Sequence, residues 1–224
     1  MNSIKGKKVL VTGAGGFIGS HLCSKLTKIG ADVTAMLHYN STSSLCNLEF
    51  LSNAELKKLN IIKGNIEDPF FMNKNLKGFD IVFHLASLIG IPYSYVSPIN
   101  YIRTNVEGAI NICEAARAHK FRLVHTSTSE TYGTAMYEPI NETHPLQGQS
   151  PYSASKIAAD KVIESYVNSF NINAVTVRPF NVYGPRQSAR AIIPTIISQI
   201  LFNNKIEVGN IEPIRDFTFV SDTV

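Results

Sequence analysis

Lys8-Val9-Leu10-Val11-Thr12-Gly13-Ala14-Gly15-Gly16-Phe17-Ile18-Gly19 reads as a strand, a glycine-rich turn and the opening of a helix. Lys8–Val11 is a short apolar, β-branched run, the composition of a strand covered on both faces. The glycines at 13, 16 and 19 recur at every third position, with Gly15 between them. Gly13 permits a tight exit from the strand. Gly16 lets backbone N–H groups approach a pyrophosphate, and Gly19 lets the helix His21–Ile29 pack close to the sheet. A glycine-rich turn alone is weak evidence for a nucleotide. Its position between a clear strand and a clear helix gives it weight.

Outward from this turn, strands and helices alternate. Asp32–Leu37 is a second strand, and it runs into His38-Tyr39-Asn40-Ser41. A dinucleotide site places an acid here against a ribose 2′-OH, or a cation against a 2′-phosphate. This stretch has neither, so NAD and NADP both stay open at this point. Residues 41–58 are polar, then helical around Leu48, Leu51 and Leu56. Asn60–Gly64 is a third strand, followed by Asn65-Ile66 where an adenine would lie, and Asp68-Pro69 starts a helix. Asp80–Ser87 is a fourth strand, ending in Leu85-Ala86-Ser87, whose small residues suit a flat ligand or simply a tight loop.

Ser97-Pro98 opens a long helix with Ile102, Val106, Ile110 and Cys113 at helical spacing. Asn105 lies inside it, where a structural hydrogen bond and plain surface exposure are equally good readings. Phe121–His125 and Ala174–Val177 are the fifth and sixth strands. The alternation predicts an α/β fold: a doubly wound parallel sheet of the Rossmann type over residues 1–185. Helix Ala191–Phe202 and strand Ile206–Val208 then begin a smaller substrate domain, residues 186–224.

Composition narrows the function classes. The chain has 224 residues, with 21 Lys and Arg against 17 Asp and Glu, a net charge of +4. The surplus is scattered, which suits a small phosphate-bearing ligand and argues against nucleic acid. Cys23, Cys46 and Cys113 have no metal-ligand spacing; no metal site is expected, and their sparseness points to the reducing cytoplasm. Cys23 and Cys113 read as helix-face filler. No apolar run reaches the ~20 residues of a membrane span, and the N-terminal run breaks too early for a signal peptide.

Ser150-Pro151 is a helix start, since Ser caps free N–H groups and Pro suits the first helical position. Tyr152 and Lys156 then share one face of that helix. A phenol ordinarily titrates near ~10, and an adjacent ammonium lowers that by about 1–3 units, toward useful proton exchange at pH 7. A lone Y-x-x-x-K is more often a solvated pair than a catalytic one. The rest of the chain raises its standing.

The Gly13/Gly16/Gly19 turn, HLAS at 84–87, Asn105, TSTSETYG at 126–133, Tyr152-x-x-x-Lys156 and RPFNVYGP at 178–185 together resemble the extended short-chain dehydrogenase/reductase superfamily, in its NAD-dependent epimerase/dehydratase family. The resemblance covers the whole chain. It implies a catalytic set of Thr128, Glu130, Tyr152 and Lys156. For the cofactor it implies Gly13, Gly16, Phe17, Ile18, Gly19, Asn65, Ile66, Leu85, Ala86, Ser87 and Asn105, with Tyr152 and Lys156; for the substrate, Ser129, Asn181 and Arg215. An acid at Glu130 resembles sugar-nucleotide 4,6-dehydratases, where 4-epimerases carry small or apolar residues. PLQGQSPYSASK, IPYSY and YGPRQSARA are similar to dehydratases of legionaminic-acid-type pathways. The implied substrate is UDP- or GDP-N-acetylglucosamine, converted to a 4-keto-6-deoxy sugar.

Glucose-type dehydratases carry Asp-Glu where this chain has Ser129-Glu130, which leaves the acid for the departing 6-hydroxyl unassigned; the GDP-mannose type shares Thr-Ser-Glu. NAD is the implied cofactor, with NADP open, and a homodimer the implied assembly. Members generally continue by about half again as many residues, so the substrate domain is expected to be incomplete at Ser221–Val224. A 4-epimerase and a non-catalytic dinucleotide sensor are the alternatives; retention of Thr128, Tyr152 and Lys156 argues against the sensor.

Overall fold

A computed structural model of the chain describes residues 4–203 and 205–224. The first half alternates β1 (Lys8–Thr12), α1 (Phe17–Lys28), β2 (Asp32–His38), α2 (Asn53–Leu56), β3 (Leu59–Gly64), α3 (Pro69–Asn75) and β4 (Ile81–His84). Two short helices, α4 (Ile91–Val96) and α5 (Pro98–Tyr101), lead through a π-helical turn at Ile102–Glu107 into α6 (Gly108–His119). Next come β5 (Arg122–Thr126), α7 (Pro151–Phe170), β6 (Ala174–Val177), β7 (Asn181–Tyr183), α8 (Ile192–Asn203), β8 (Phe217–Phe219) and α9 (Val220–Thr223).

Six strands form one parallel sheet in the order β3-β2-β1-β4-β5-β6. The order reverses at β1, whose Val9 is in register with Val33 on one side and Ile81 on the other. A sheet that reverses there leaves a crevice at the carboxyl ends of β1 and β4. Covered on both faces, β1 has to be apolar throughout. Val9 and Val11 face α1, packing with Leu22, Cys23 and Leu26. Leu10 faces the opposite layer, with Ile112 and Cys113 of α6 and Ala159 and Ile163 of α7. Burying each such side chain contributes about 1.5–3 kcal/mol. Burial also pushes the Cys23 and Cys113 thiols up to about 12, so both are inert filler.

Three expectations need correction. Residues 41–58 do not form one helix: they make a 3-10 turn, Cys46–Phe50, and the single turn α2, which Ser52 and Glu55 close with a capping box. The long helix from Pro98 is interrupted by the π-turn, which admits an extra residue and rotates the helical turns beyond it. Ile102 and Ile110 are 43% and 38% exposed, and Tyr101, Asn105, Ala109 and Ile112 are buried together with Cys113. Ile206–Val208 is no strand, because these exposed residues have no strand beside them. Instead β8 pairs in parallel with β7, joining residues on either side of 185.

Candidate active site

The turn after β1 is shaped by close backbone approach. Gly13 has φ +67°, and a Cβ there would stand 2.7 Å from the Ala86 nitrogen at the exit of β4. A Cβ on Gly19 would stand 2.2 Å from the Gly13 carbonyl oxygen, so the first turn of α1 lies against the loop only because residue 19 has no side chain. Thr12 ties the two strand ends together, its Oγ1 accepting from Leu85 and Ala86 N–H at 3.1 Å each. Helix α1 starts at Gly16 with no side-chain cap among the described residues, which leaves its first N–H groups and dipole directed at the crevice.

A cavity of about 270 Å³ opens there, lined by Gly13, Leu37, His38, Asn65, Ile66, Ala86, Ser87 and Thr104 among others. Of the residues the sequence assigns to a cofactor, Gly13, Asn65, Ile66, Ala86 and Ser87 line this cavity. Gly16, Phe17, Ile18, Gly19 and Leu85 form its adjoining turn and strand end. A glycine cradle on an uncapped helix, opening into a narrow cleft of small and apolar side chains, fits a dinucleotide. Sequence reasoning missed Thr12, Leu37, His38 and Thr104; Thr104 donates to Glu67 at 2.6 Å across the cleft. The strand ends themselves were the signal for Thr12, Leu37 and His38. Thr104 had none, because the π-turn sets its direction.

Asn105 is buried, and all its hydrogen-bonding capacity is committed. Its Oδ1 accepts from Ser87 Oγ at 2.9 Å and Leu88 N at 2.8 Å. Its Nδ2 donates to the Leu88 carbonyl and to Ser155 Oγ. The structural reading of this Asn therefore wins: it clamps the loop after β4 to α7.

Helix α7 begins as the sequence implies, with Pro151 in its first turn and a reciprocal capping box between Ser150 and Ser153. Tyr152 and Lys156 are both buried on its inner face. Thr128 caps the short turn Ser129–Thr131, accepting from Glu130 N–H at 3.2 Å. Burial pushes the Tyr152 phenol up to about 12; a hydrogen bond with Thr128 works against this, and the Glu130 charge adds to it. The expected lowering by Lys156 is absent from this arrangement. Lys156 instead donates Nζ to the Thr126 carbonyl at 2.8 Å, and burial pushes its ammonium down to about 8. An ammonium has three donors, so two are left for a ligand.

Ser129 and Asn181 take part through their backbone, donating to the Pro179 and Asp216 carbonyls. Arg215 lies exposed before β8 and donates to the adjacent Ile214 carbonyl; no described contact joins it to Thr128, Tyr152 or Asn181.

Behind the Tyr–Lys pair lies a buried polar layer that sequence reasoning missed. Asp160 accepts from Ser127 Oγ and Arg178 Nε, each at 2.9 Å, and His125 Nε2 stands 3.4 Å away. The His125 ring stacks on His84, whose Nδ1 lies 2.9 Å from Thr12 Oγ1. Burial, then the Lys156 charge, pushes His125 down to about 4, and His84 is held well below 6.5 chiefly by burial. The folded state thus refuses protons that the unfolded chain accepts. His125 contributes its full stability above pH 6.5 and loses it as pH falls through 4, about 3 kcal/mol in all. Thermal melts should show a clear drop from pH 7 to pH 4.5. Equal melting temperatures would contradict it.

Comparison with known proteins bears on this geometry. Residues 10–224 match the family model described as GDP-mannose 4,6 dehydratase. A dTDP-D-glucose 4,6-dehydratase of Dictyostelium discoideum is 32% identical over 97% of this chain, and the chain spans 54% of that relative's length. A UDP-N-acetylglucosamine 4-epimerase from Methanobrevibacter ruminantium M1, solved in complex with UDP-N-acetylmuramic acid, superposes with TM-score 0.87 at 34% identity, covering 98% of this chain and 71% of that one. A dTDP-glucose 4,6-dehydratase from Streptomyces venezuelae, solved with NAD and TYD bound, gives TM-score 0.86 at 28% identity, covering 96% and 70%. Among the described residues no helix is long and apolar enough to cross a membrane. With the glycine cradle, the reversed parallel sheet and the Tyr152–Lys156 helix all in place, the family match places this chain in the NAD-dependent epimerase/dehydratase family of the extended short-chain dehydrogenase/reductase superfamily.

Proposed function

We propose that the protein is an NAD-dependent sugar-nucleotide 4,6-dehydratase acting on UDP- or GDP-N-acetylglucosamine. The observation that carries this reading is Glu130, a carboxylate on the turn that Thr128 caps, whose charge acts on the Tyr152 phenol. In this reading Tyr152 takes the proton of the sugar 4-hydroxyl, Thr128 hydrogen-bonds that oxygen, and Lys156 supplies positive charge behind the phenol. NAD, held by the glycine turn, would accept a hydride from C4 and return that same hydride to C6. The C4 ketone acidifies the C5 proton, Glu130 would take that proton, and the 6-hydroxyl would leave as water, so that the hydride returns to C6 of the resulting alkene. Residues 1–185 hold the dinucleotide through the glycine turn and the cavity after β2, β3 and β4. Ser129, Asn181 and Arg215 would serve the substrate, with residues 186–224 beginning its wall. A homodimer in the cytoplasm is part of the proposal on family resemblance.

A second reading has its own support. The Methanobrevibacter relative of similar fold is a 4-epimerase on an N-acetylglucosamine nucleotide, and epimerisation needs Tyr152 and Lys156 but no C5 base. Incubation with NAD and each of UDP- and GDP-N-acetylglucosamine, followed by mass spectrometry, separates the two. Loss of one water supports the dehydratase. An isomer of unchanged mass supports the epimerase, and no conversion of either nucleotide overturns both.

The choice of NAD over NADP is tested by calorimetric titration. No Lys or Arg follows β2 through Ser44. NAD should therefore bind at least as tightly, and a tenfold preference for NADP, about 1.4 kcal/mol, would contradict this.

A further inference from the structure

Asp160 is fully buried, lies one helical turn beyond Lys156, and has no part in the chemistry above. The two side chains bind consecutive residues at the end of β5: Lys156 Nζ takes the Thr126 carbonyl at 2.8 Å, and Asp160 takes Ser127 Oγ at 2.9 Å. At i and i+4 on α7 they stand side by side, as neighbours on one helix face do. Arg178, at the exit of β6, holds the carboxylate from the far side.

A buried ammonium needs a counter-charge, and this layer provides few. His84 from β4 and His125 from β5 face Lys156 as neutral rings, and Arg178 is a second cation. Tyr152 shares the helix face as a neutral phenol, and Glu130 acts on that phenol from the turn ahead. Of the two acids, Asp160 is the one buried with Lys156.

We propose that Asp160 is a positioning residue for the Tyr152–Lys156 pair: its carboxylate, held by Ser127, Arg178 and His125, is the buried counter-ion that keeps Lys156 an ammonium and fixes the strand end carrying Thr128 against α7. The inference rests on the reading of Lys156 as part of the reacting site. Asp160 touches neither substrate nor cofactor in this role. Its carboxyl is itself suited to it: burial raises its pKa, but the His125 ring at 3.4 Å and the hydrogen bonds from Ser127 and Arg178 outweigh that and hold it below the ordinary value, ionised at neutral pH.

The test reads the Lys156 charge without any turnover. Protein labelled with ¹³C-lysine is titrated by NMR, and the Lys156 Cε resonance is identified by its loss in Lys156→Arg. The wild-type midpoint is expected at about 8. Asp160→Asn, nearly the same shape without the charge, should lower that midpoint by about one unit or more, and Asp160→Glu should restore most of it. A folded Asp160→Asn protein with an unmoved midpoint overturns the proposal. If Asp160→Asn does not fold, Arg178→Gln carries the test. It is compared with the Arg178→Gln/Asp160→Asn double variant, in which no guanidinium is left without its carboxylate; the double variant's midpoint should be lower by about one unit or more, and equal midpoints overturn the proposal. Because no substrate is present, failure here is distinct from failure of the dehydratase reading, which shows as absent turnover in the wild type.

Discussion

Tyr152→Phe is expected to lower turnover by about 10²–10⁴, the worth of a positioned acid–base group, under either of the two proposed reactions. The substitution removes one oxygen and leaves the ring packed edge-on against Tyr101, 6.2 Å between centroids. Thr128 loses a partner, but it keeps its capping bond from Glu130 N–H and so the turn that carries Glu130. Melting temperature and calorimetric affinity for NAD should therefore change little while conversion of the sugar nucleotide collapses. That split between binding and rate marks a group acting in the transition state. Turnover within tenfold of the wild type would remove Tyr152 from the mechanism, and Lys156 with it.

The same pair shows where sequence reading ends. Two signals were plain in the chain: Ser150-Pro151 as a helix start, and the i, i+4 spacing that puts Tyr152 and Lys156 on one face. Both depend only on local backbone chemistry. The alternation of apolar runs and helices likewise made the six parallel strands legible, since the central strands β1 and β2 are covered on both faces and have to be apolar. The electrostatics were not legible. A neighbouring ammonium lowers a phenol's pKa only if its pull exceeds the penalty of burial, and here Lys156 bonds a backbone carbonyl while burial dominates the phenol. Depth of burial is a property of the assembled layers.

Two further misses have the same root. Ile206-Glu207-Val208 has strand composition, but a strand exists only with a partner, and β7 is taken by Phe217–Phe219. The buried face of the long helix, Tyr101, Asn105, Ala109 and Ile112, has the same spacing as the expected one set back by a residue; periodicity gives the spacing, and only packing against α7 fixes which face is buried. Asp160, by contrast, was within reach. It continues the Tyr152, Lys156 face by another turn, and His84 and His125 are register partners on adjacent strands. Three titratable groups converging on one layer is a pattern that sequence and topology together contain.

The decisive distinction lies at Glu130. Glu130→Gln keeps the length and most of the hydrogen-bonding shape of the side chain while removing the base. Its backbone N–H, which Thr128 Oγ1 accepts, is untouched, so the turn and Thr128 stay in place. Removing the negative charge also relieves one influence that raises the Tyr152 pKa, so the first proton transfer should be no harder than before. Under the dehydratase reading oxidation at C4 therefore proceeds and the C5 proton stays. Loss of water should slow by about 10²–10⁴, solvent deuterium should cease to enter C5, and absorbance of reduced nicotinamide should build up during a single turnover. Under the epimerase reading the same variant should turn over within tenfold of the wild type, with no mass change in the product. Normal formation of a dehydrated product by Glu130→Gln would show that another group takes the C5 proton, and the assignment would fall back to a sugar-nucleotide oxidoreductase whose product is set elsewhere.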